Sequence, residues 1–108
     1  MGRRQSAAKF AVTRDVKLAP DAEWELREAF LWYRERSRLA AETFRTDVFA
    51  AIDSLATEAG IWPEDEDGIC RYVLRHFPYT IHYEYDARTV TVLAVAHQRR
   101  RPGYWQER

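Results

Sequence analysis

Apolar and polar residues change rhythm twice along this chain, and the changes mark its elements. Residues 9–16 alternate, Phe10 and Val12 on one side and Ala11 and Thr13 on the other, which predicts a short strand. From Pro20 the period becomes helical. Pro20 suits a first helical position, Asp21 and Glu23 follow where the helix dipole favours negative charge, and Ala22, Leu26, Ala29, Phe30 and Tyr33 draw one apolar stripe. Ser37 is placed to cap a second helix, with Ala40, Phe44, Val48, Ala51, Ile52 and Leu55 as its stripe and Gly60 as its stop. So tight a junction predicts a helical hairpin.

Pro63, the acidic run Glu64-Asp65-Glu66-Asp67 and Gly68 read as a loop, after which the period falls to two. Residues 70–75 form the next expected strand. In the one after it, Phe77, Tyr79, Ile81, Tyr83 and Tyr85 alternate with Pro78, Thr80, His82 and Glu84. A turn at Asp86-Ala87-Arg88 leads into residues 89–96, where both alternating sets are apolar or Thr, the pattern of a central strand packed on both faces. The expected fold is α+β in the order β-α-α-β-β-β: a mostly antiparallel four-stranded sheet, covered on one face by the helical hairpin and partly open on the other.

Composition narrows the function classes. A chain of 108 residues is the size of one domain, read here as residues 1–108, with 1–8 expected to be flexible and 97–108 forming a basic aromatic tail. With 46% hydrophobic and 14% aromatic residues it is too apolar to stay disordered. Seventeen Lys plus Arg balance seventeen Asp plus Glu, so any attraction to nucleic acid must be local. It is local at both ends: residues 1–17 hold five basic side chains against one acidic, and residues 97–108 hold four against one. The lone Cys70 excludes an internal disulfide and a multi-cysteine zinc site and fits a reducing cytoplasm. No apolar run follows Arg3 and Arg4, and none approaches the about 18 residues a membrane span needs, so neither a secretory signal nor a membrane partner is expected. His76 and His82 lack ligand spacing, and neither metal nor cofactor is expected.

The run His97-Gln98-Arg99-Arg100-Arg101-Pro102-Gly103-Tyr104-Trp105 follows the last strand directly. Three arginines can grip phosphates through bidentate hydrogen bonds, and Tyr104 and Trp105 offer faces for stacking bases. The same residues also suit solvated arginines with Tyr104 and Trp105 folded back onto the sheet by Pro102-Gly103. As a histidine, His97 is a residue type suited to general-base work near neutrality, although a histidine at a strand end is commonly structural. Arg71 and Arg75 share one strand face and would extend the basic surface across the open side of the sheet, or are ordinary surface charges. Trp24, Trp32 and Trp62 read as core and hairpin edge, His82 as a residue of the solvated face, and Glu64 to Asp67 as a solvated loop.

The order of elements, Ala29-Phe30-Leu31-Trp32-Tyr33, Phe77-Pro78-Tyr79-Thr80-Ile81-His82-Tyr83, and Val92-Leu93-Ala94-Val95-Ala96-His97-Gln98-Arg99-Arg100 closing with Pro102-Gly103-Tyr104-Trp105 together resemble the RelE/ParE superfamily of type II toxin–antitoxin toxins, across residues 9–106. The resemblance implies a small cytoplasmic bacterial toxin neutralised by a cognate antitoxin whose amphipathic segment wraps it. RelE-like members cut messenger RNA on the ribosome with basic residues and a C-terminal tyrosine. Tyr104 and Arg99 match these as catalytic candidates, but the lysines are missing, since only Lys9 and Lys17 exist and Thr80 stands where an arginine is common. ParE-like members are matched better, through the long hairpin and His97-x-Arg99, and imply DNA gyrase as target with no catalytic residue. On that leading reading the target-binding set is His97, Arg99, Arg100, Arg101, Tyr104, Trp105, Arg71 and Arg75. The alternatives are a ribosome-dependent mRNA endoribonuclease and a non-catalytic, degenerate binding module of the same fold.

Overall fold

Pro20 opens the first helix and Ser37 separates it from the second, as their chemistry requires. In the computed structural model, which describes residues 13–101 and 103–107, β1 is Asp15–Leu18, α1 is Pro20–Arg36 and α2 is Arg38–Glu58. The Ser37 hydroxyl accepts from the Ala40 amide at 3.1 Å, satisfying one of the orphan donors of α2. Gly60 does not end α2 in a left-handed cap. The helix instead tightens into a 3₁₀ turn, Ala59–Ile61, and a Cβ on Gly60 would sit 3.2 Å from the Tyr85 hydroxyl, so a close approach is what favours glycine there.

The chain then forms β2, Cys70–Val73, β3, Tyr79–Tyr85, and β4, Thr89–His97, and closes with a 3₁₀ turn, Tyr104–Glu107. The sheet order is β1-β4-β3-β2, with β1 parallel to β4 and the other pairs antiparallel. The expected α+β architecture is therefore present, with the second and third strands shorter than expected and the last one residue longer. Residues 9–12 of the first expected strand lie outside the described residues, and the observed strand begins at Asp15. Expected strands 70–75 and 77–85 are trimmed to 70–73 and 79–85. Pro78 has no amide to give to a ladder, and the Tyr79 amide turns back to the Phe77 carbonyl at 2.8 Å.

Ala22, Leu26 and Ala29 of α1 and Phe44, Val48, Ala51, Ile52 and Leu55 of α2 bury their stripes on Cys70, Ile81, Tyr83, Val90, Val92 and Val95. Phe44 is fully buried, with the rings of Tyr33, Phe77 and Tyr79 5.1, 5.3 and 5.3 Å away. Tyr83, also fully buried, donates its hydroxyl to the Ala59 carbonyl at 2.6 Å, and burial pushes its pKa well above the ordinary tyrosine value.

One irregularity in the sheet sets the geometry that follows. His82 pairs with Ala94 but Tyr83 pairs with Val92, so β4 carries one extra residue, Leu93, at a bulge. Below the bulge Val90 and Val92 face the helices, and beyond it Val95 and His97 do. The apolar character of both alternating sets in β4 thus has two causes: burial on both faces and a change of parity midway.

Candidate functional site

The parallel ladder of β1 on β4 runs out early. Its last contacts are Leu18 beside Val92 and the Ala19 amide on the Val92 carbonyl at 2.9 Å, after which, among the described residues, the outer edge of β4 has no strand beside it. The Val95 amide, buried on that edge, donates to Glu25 Oε1 of α1 at 2.9 Å. Glu25 is only 8% exposed, an uncommon place for a carboxylate unless it is hydrogen-bonded, and its second oxygen, Oε2, accepts from the Tyr104 hydroxyl. The C-terminal segment is thereby tied to the first helix across the end of the sheet.

Between these anchors the chain turns tightly. The Gln98 amide donates to the Pro78 carbonyl at 2.8 Å, the Arg99 amide to His97 Nδ1 at 3.0 Å and the Arg100 amide to the His97 carbonyl at 3.0 Å. By accepting, His97 Nδ1 carries no proton in this arrangement. Gly103, at φ +76°, supplies the left-handed turn that sends Tyr104 and Trp105 back toward the sheet. The Arg100 guanidinium lies 3.7 Å over the Tyr104 ring, and the Trp105 ring lies 5.0 Å from that of His82 on the face away from the helices. The tail straddles the end of β4, Tyr104 on the helix side and Trp105 on the other. Of the two arrangements open from sequence, the aromatic side chains adopt the folded-back one, and Arg99, Arg100 and Arg101 remain exposed.

On the helix side a groove of about 530 Å³ is lined by Trp24, Glu25, Trp32, Tyr79, His97 and Arg100, among others. Trp24 is 62% and Trp32 50% exposed, so neither belongs to the core, contrary to expectation. Both lie on the outer side of α1, eight residues apart on one face with Glu28 between them, and the Arg36 guanidinium stacks 3.7 Å over Trp32. Trp62 alone of the three packs as expected, its ring 4.6 Å from that of Tyr72 against the core. Burial raises the pKa values of Tyr33 and Tyr79 in this groove, keeping their hydroxyls protonated.

The other sequence candidates separate. His97 reaches the groove, its ring 5.1 Å from Tyr79, whereas Arg71 is exposed on the opposite sheet face, in register with His82. Arg75 lies beyond the end of β2 and is exposed. His76 approaches Asp47 of α2, Nδ1 to Oδ2 at 3.2 Å. The Asp65 carboxylate of the acidic run accepts from the Asp67 and Ile69 amides at 2.8 and 3.0 Å, closing a turn completed by Gly68 at φ +79°.

His82 is half-buried rather than solvated. Desolvation beneath Trp105, and next the Arg71 charge, lower its pKa, opposed by Glu25 and Asp65. The native state therefore resists a proton that the unfolded chain binds near pH 6.5, so stability is full above about pH 6.5 and falls as the pH drops below it. Thermal melts of His82→Gln should show a flatter pH dependence between about pH 6.5 and 5 than the parent. Asp65 and Asp86 act in a separate window. Backbone amides, from Ile69 and Asp67 for the first and Arg88 and Thr89 for the second, hold both carboxyls below the usual range, so their contribution is present above about pH 4 and lost beneath it.

Glu25 is a site residue absent from the candidates the sequence offered. A signal existed: Ala22, Glu25, Leu26 and Ala29 follow the spacing i, i+3, i+4, i+7, which puts the carboxylate on the apolar stripe.

Comparison with known proteins adds the ancestry. The family model for the ParE toxin of the type II toxin–antitoxin system, parDE, matches residues 16–102. No curated protein matches the sequence. Among solved structures, a chain of the chromosomal ParDE toxin–antitoxin system from P. aeruginosa superposes with a TM-score of 0.70 at 15% identity, covering 79% of this chain and 96% of that one. A chain of the RelBE2 toxin–antitoxin complex from Mycobacterium tuberculosis superposes with a TM-score of 0.53 at 21% identity, covering 80% and 92%. At these identities the superpositions speak for the shared fold.

Proposed function

Because the chain belongs to the ParE toxin family of type II toxin–antitoxin systems, we propose that it arrests growth by binding DNA gyrase through its C-terminal segment and that a cognate antitoxin neutralises it. The observation that carries the binding reading is the tail itself. Arg99, Arg100 and Arg101 stand exposed on a segment anchored at Pro78, Glu25 and His82, so a basic surface is presented with little ordering left to pay for on association. The same geometry counts against RNA cleavage. The Tyr104 hydroxyl, the candidate group for RNA cleavage, donates to the Glu25 carboxylate, so in this arrangement it is not presented to a phosphate. No helix among the described residues is long and apolar enough to cross a membrane, and action on gyrase implies the cytoplasm.

Antitoxin neutralisation is supported by family membership and by the exposed Trp24 and Trp32 beside the groove, which give a partner's apolar side chains a place to be buried. Inducing the chain alone in a bacterial host and following DNA and protein synthesis by pulse labelling tests the target. DNA synthesis is expected to fall first, with a DNA-damage response, and co-expression of the product of the adjacent reading frame should restore growth. Early loss of translation with fragmented messenger RNA would instead establish the endoribonuclease. Unimpaired growth would leave a binding module without toxicity.

A further inference from the structure

We infer that Glu25 is the positioning residue of the C-terminal segment: one buried carboxylate holds the end of β4 with one oxygen and Tyr104 with the other, and so fixes how the arginines are presented. Glu25 itself meets no target. Its importance for inhibition rests on the functional reading above, whereas its seating of the tail does not.

Three observations converge on it. The Val95 amide lies where β1 has already ended, so the carboxylate substitutes for the missing strand at that donor. Tyr104 is held from two sides, by Glu25 at its hydroxyl and by the Arg100 guanidinium over its ring, which couples the buried carboxylate to an exposed arginine through one side chain. Trp105, the next residue, rests on His82 across the sheet, so movement of Tyr104 would lift this second anchor as well. A buried hydrogen-bonded network of this kind acts as a unit, and loss of its central member exposes the rest.

The test uses the full chain and three variants, followed by hydrogen exchange of the tail amides and by inhibition of purified gyrase. In Glu25→Ala the hydrogen bonds to Val95 and Tyr104 go, and exchange at residues 98–107 should accelerate about ten- to a hundred-fold, the worth of the one hydrogen bond to a charged group that ties the tail to α1. Tyr104→Phe should accelerate it less, and adding it to Glu25→Ala should change little further, because the two act through one hydrogen bond. Glu25→Gln keeps an oxygen to accept from the Val95 amide and a carboxamide NH2 that can donate to the Tyr104 hydroxyl oxygen, so its tail should exchange close to the parent rate. Inhibition should follow the same order, with Glu25→Ala weakest and Glu25→Gln near the parent.

Unchanged tail protection in Glu25→Ala would overturn the inference. So would equal loss of protection in the tail and in β3, which marks general destabilisation, or equal loss in Glu25→Gln and Glu25→Ala. Faster tail exchange with undiminished inhibition would remove the functional half and leave the seating. A parent chain that does not inhibit gyrase would sink the functional reading, while the exchange comparison would still decide whether Glu25 seats the tail.

Discussion

Phe44→Ala will lower stability by about 3–5 kcal/mol, the cost of removing a fully buried aromatic ring and leaving a cavity that its neighbours fill only partly. Domains of this size hold about 5–15 kcal/mol in total, so the variant loses a large share of what keeps it folded. The expected fall in Tm is about 12 °C or more, read by thermal or urea denaturation. The environment explains why the loss is not dispersed. Tyr33, Phe77 and Tyr79 all meet the Phe44 ring, and none of them can rotate into the space without abandoning another neighbour. Tyr33 and Tyr79 also line the groove beside His97, so the variant should loosen that surface too. A loss below about 1 kcal/mol would mean that the cavity collapses and that the cluster is not the centre of the core.

The second large effect falls on function with stability almost untouched. Replacing Arg99, Arg100 and Arg101 together by serine removes three exposed guanidinium groups, each able to make charge-assisted hydrogen bonds to an acidic protein surface or to phosphate. Hydrogen bonds to charged groups are worth about 1.5–3 kcal/mol each, so inhibition of gyrase supercoiling should weaken by at least about a hundred-fold. Stability should change by about 1 kcal/mol or less, since these are exposed side chains and the stacking of Arg100 on Tyr104 is a surface interaction. Retained inhibition with an unchanged melt would show that the tail arginines are not the binding surface.

These expectations draw on the sequence unequally. Local signals were legible because their causes are local: Pro20 and Ser37 bracket α1 through backbone chemistry, and the two helical stripes require a buried face whatever covers it. The strand alternation in residues 79–85 was equally readable, since a pleated strand puts successive side chains on opposite faces. The family resemblance, carried by the same segments, led to the ParE toxins. Gly60 does follow the end of α2, but without the left-handed cap a glycine there usually marks: it makes room for Tyr85, far along the chain. The tryptophans of α1 were misread because their size argues for burial, and only the packed hairpin shows which side of the helix is left over.

By itself, then, the sequence determined the element order, the hairpin, the inward faces of most elements and the basic aromatic character of the tail. The tertiary structure alone decided how those parts meet. The bulge at Leu93 turns His97 to the helix side of the sheet, the early end of β1 leaves the Val95 amide to Glu25, and the tail crosses the end of β4 to bring Tyr104 to a residue 79 positions earlier. Periodicity reports which way a side chain points within its own element. It carries no record of where a partner strand stops, and it is there that a buried carboxylate found its two donors.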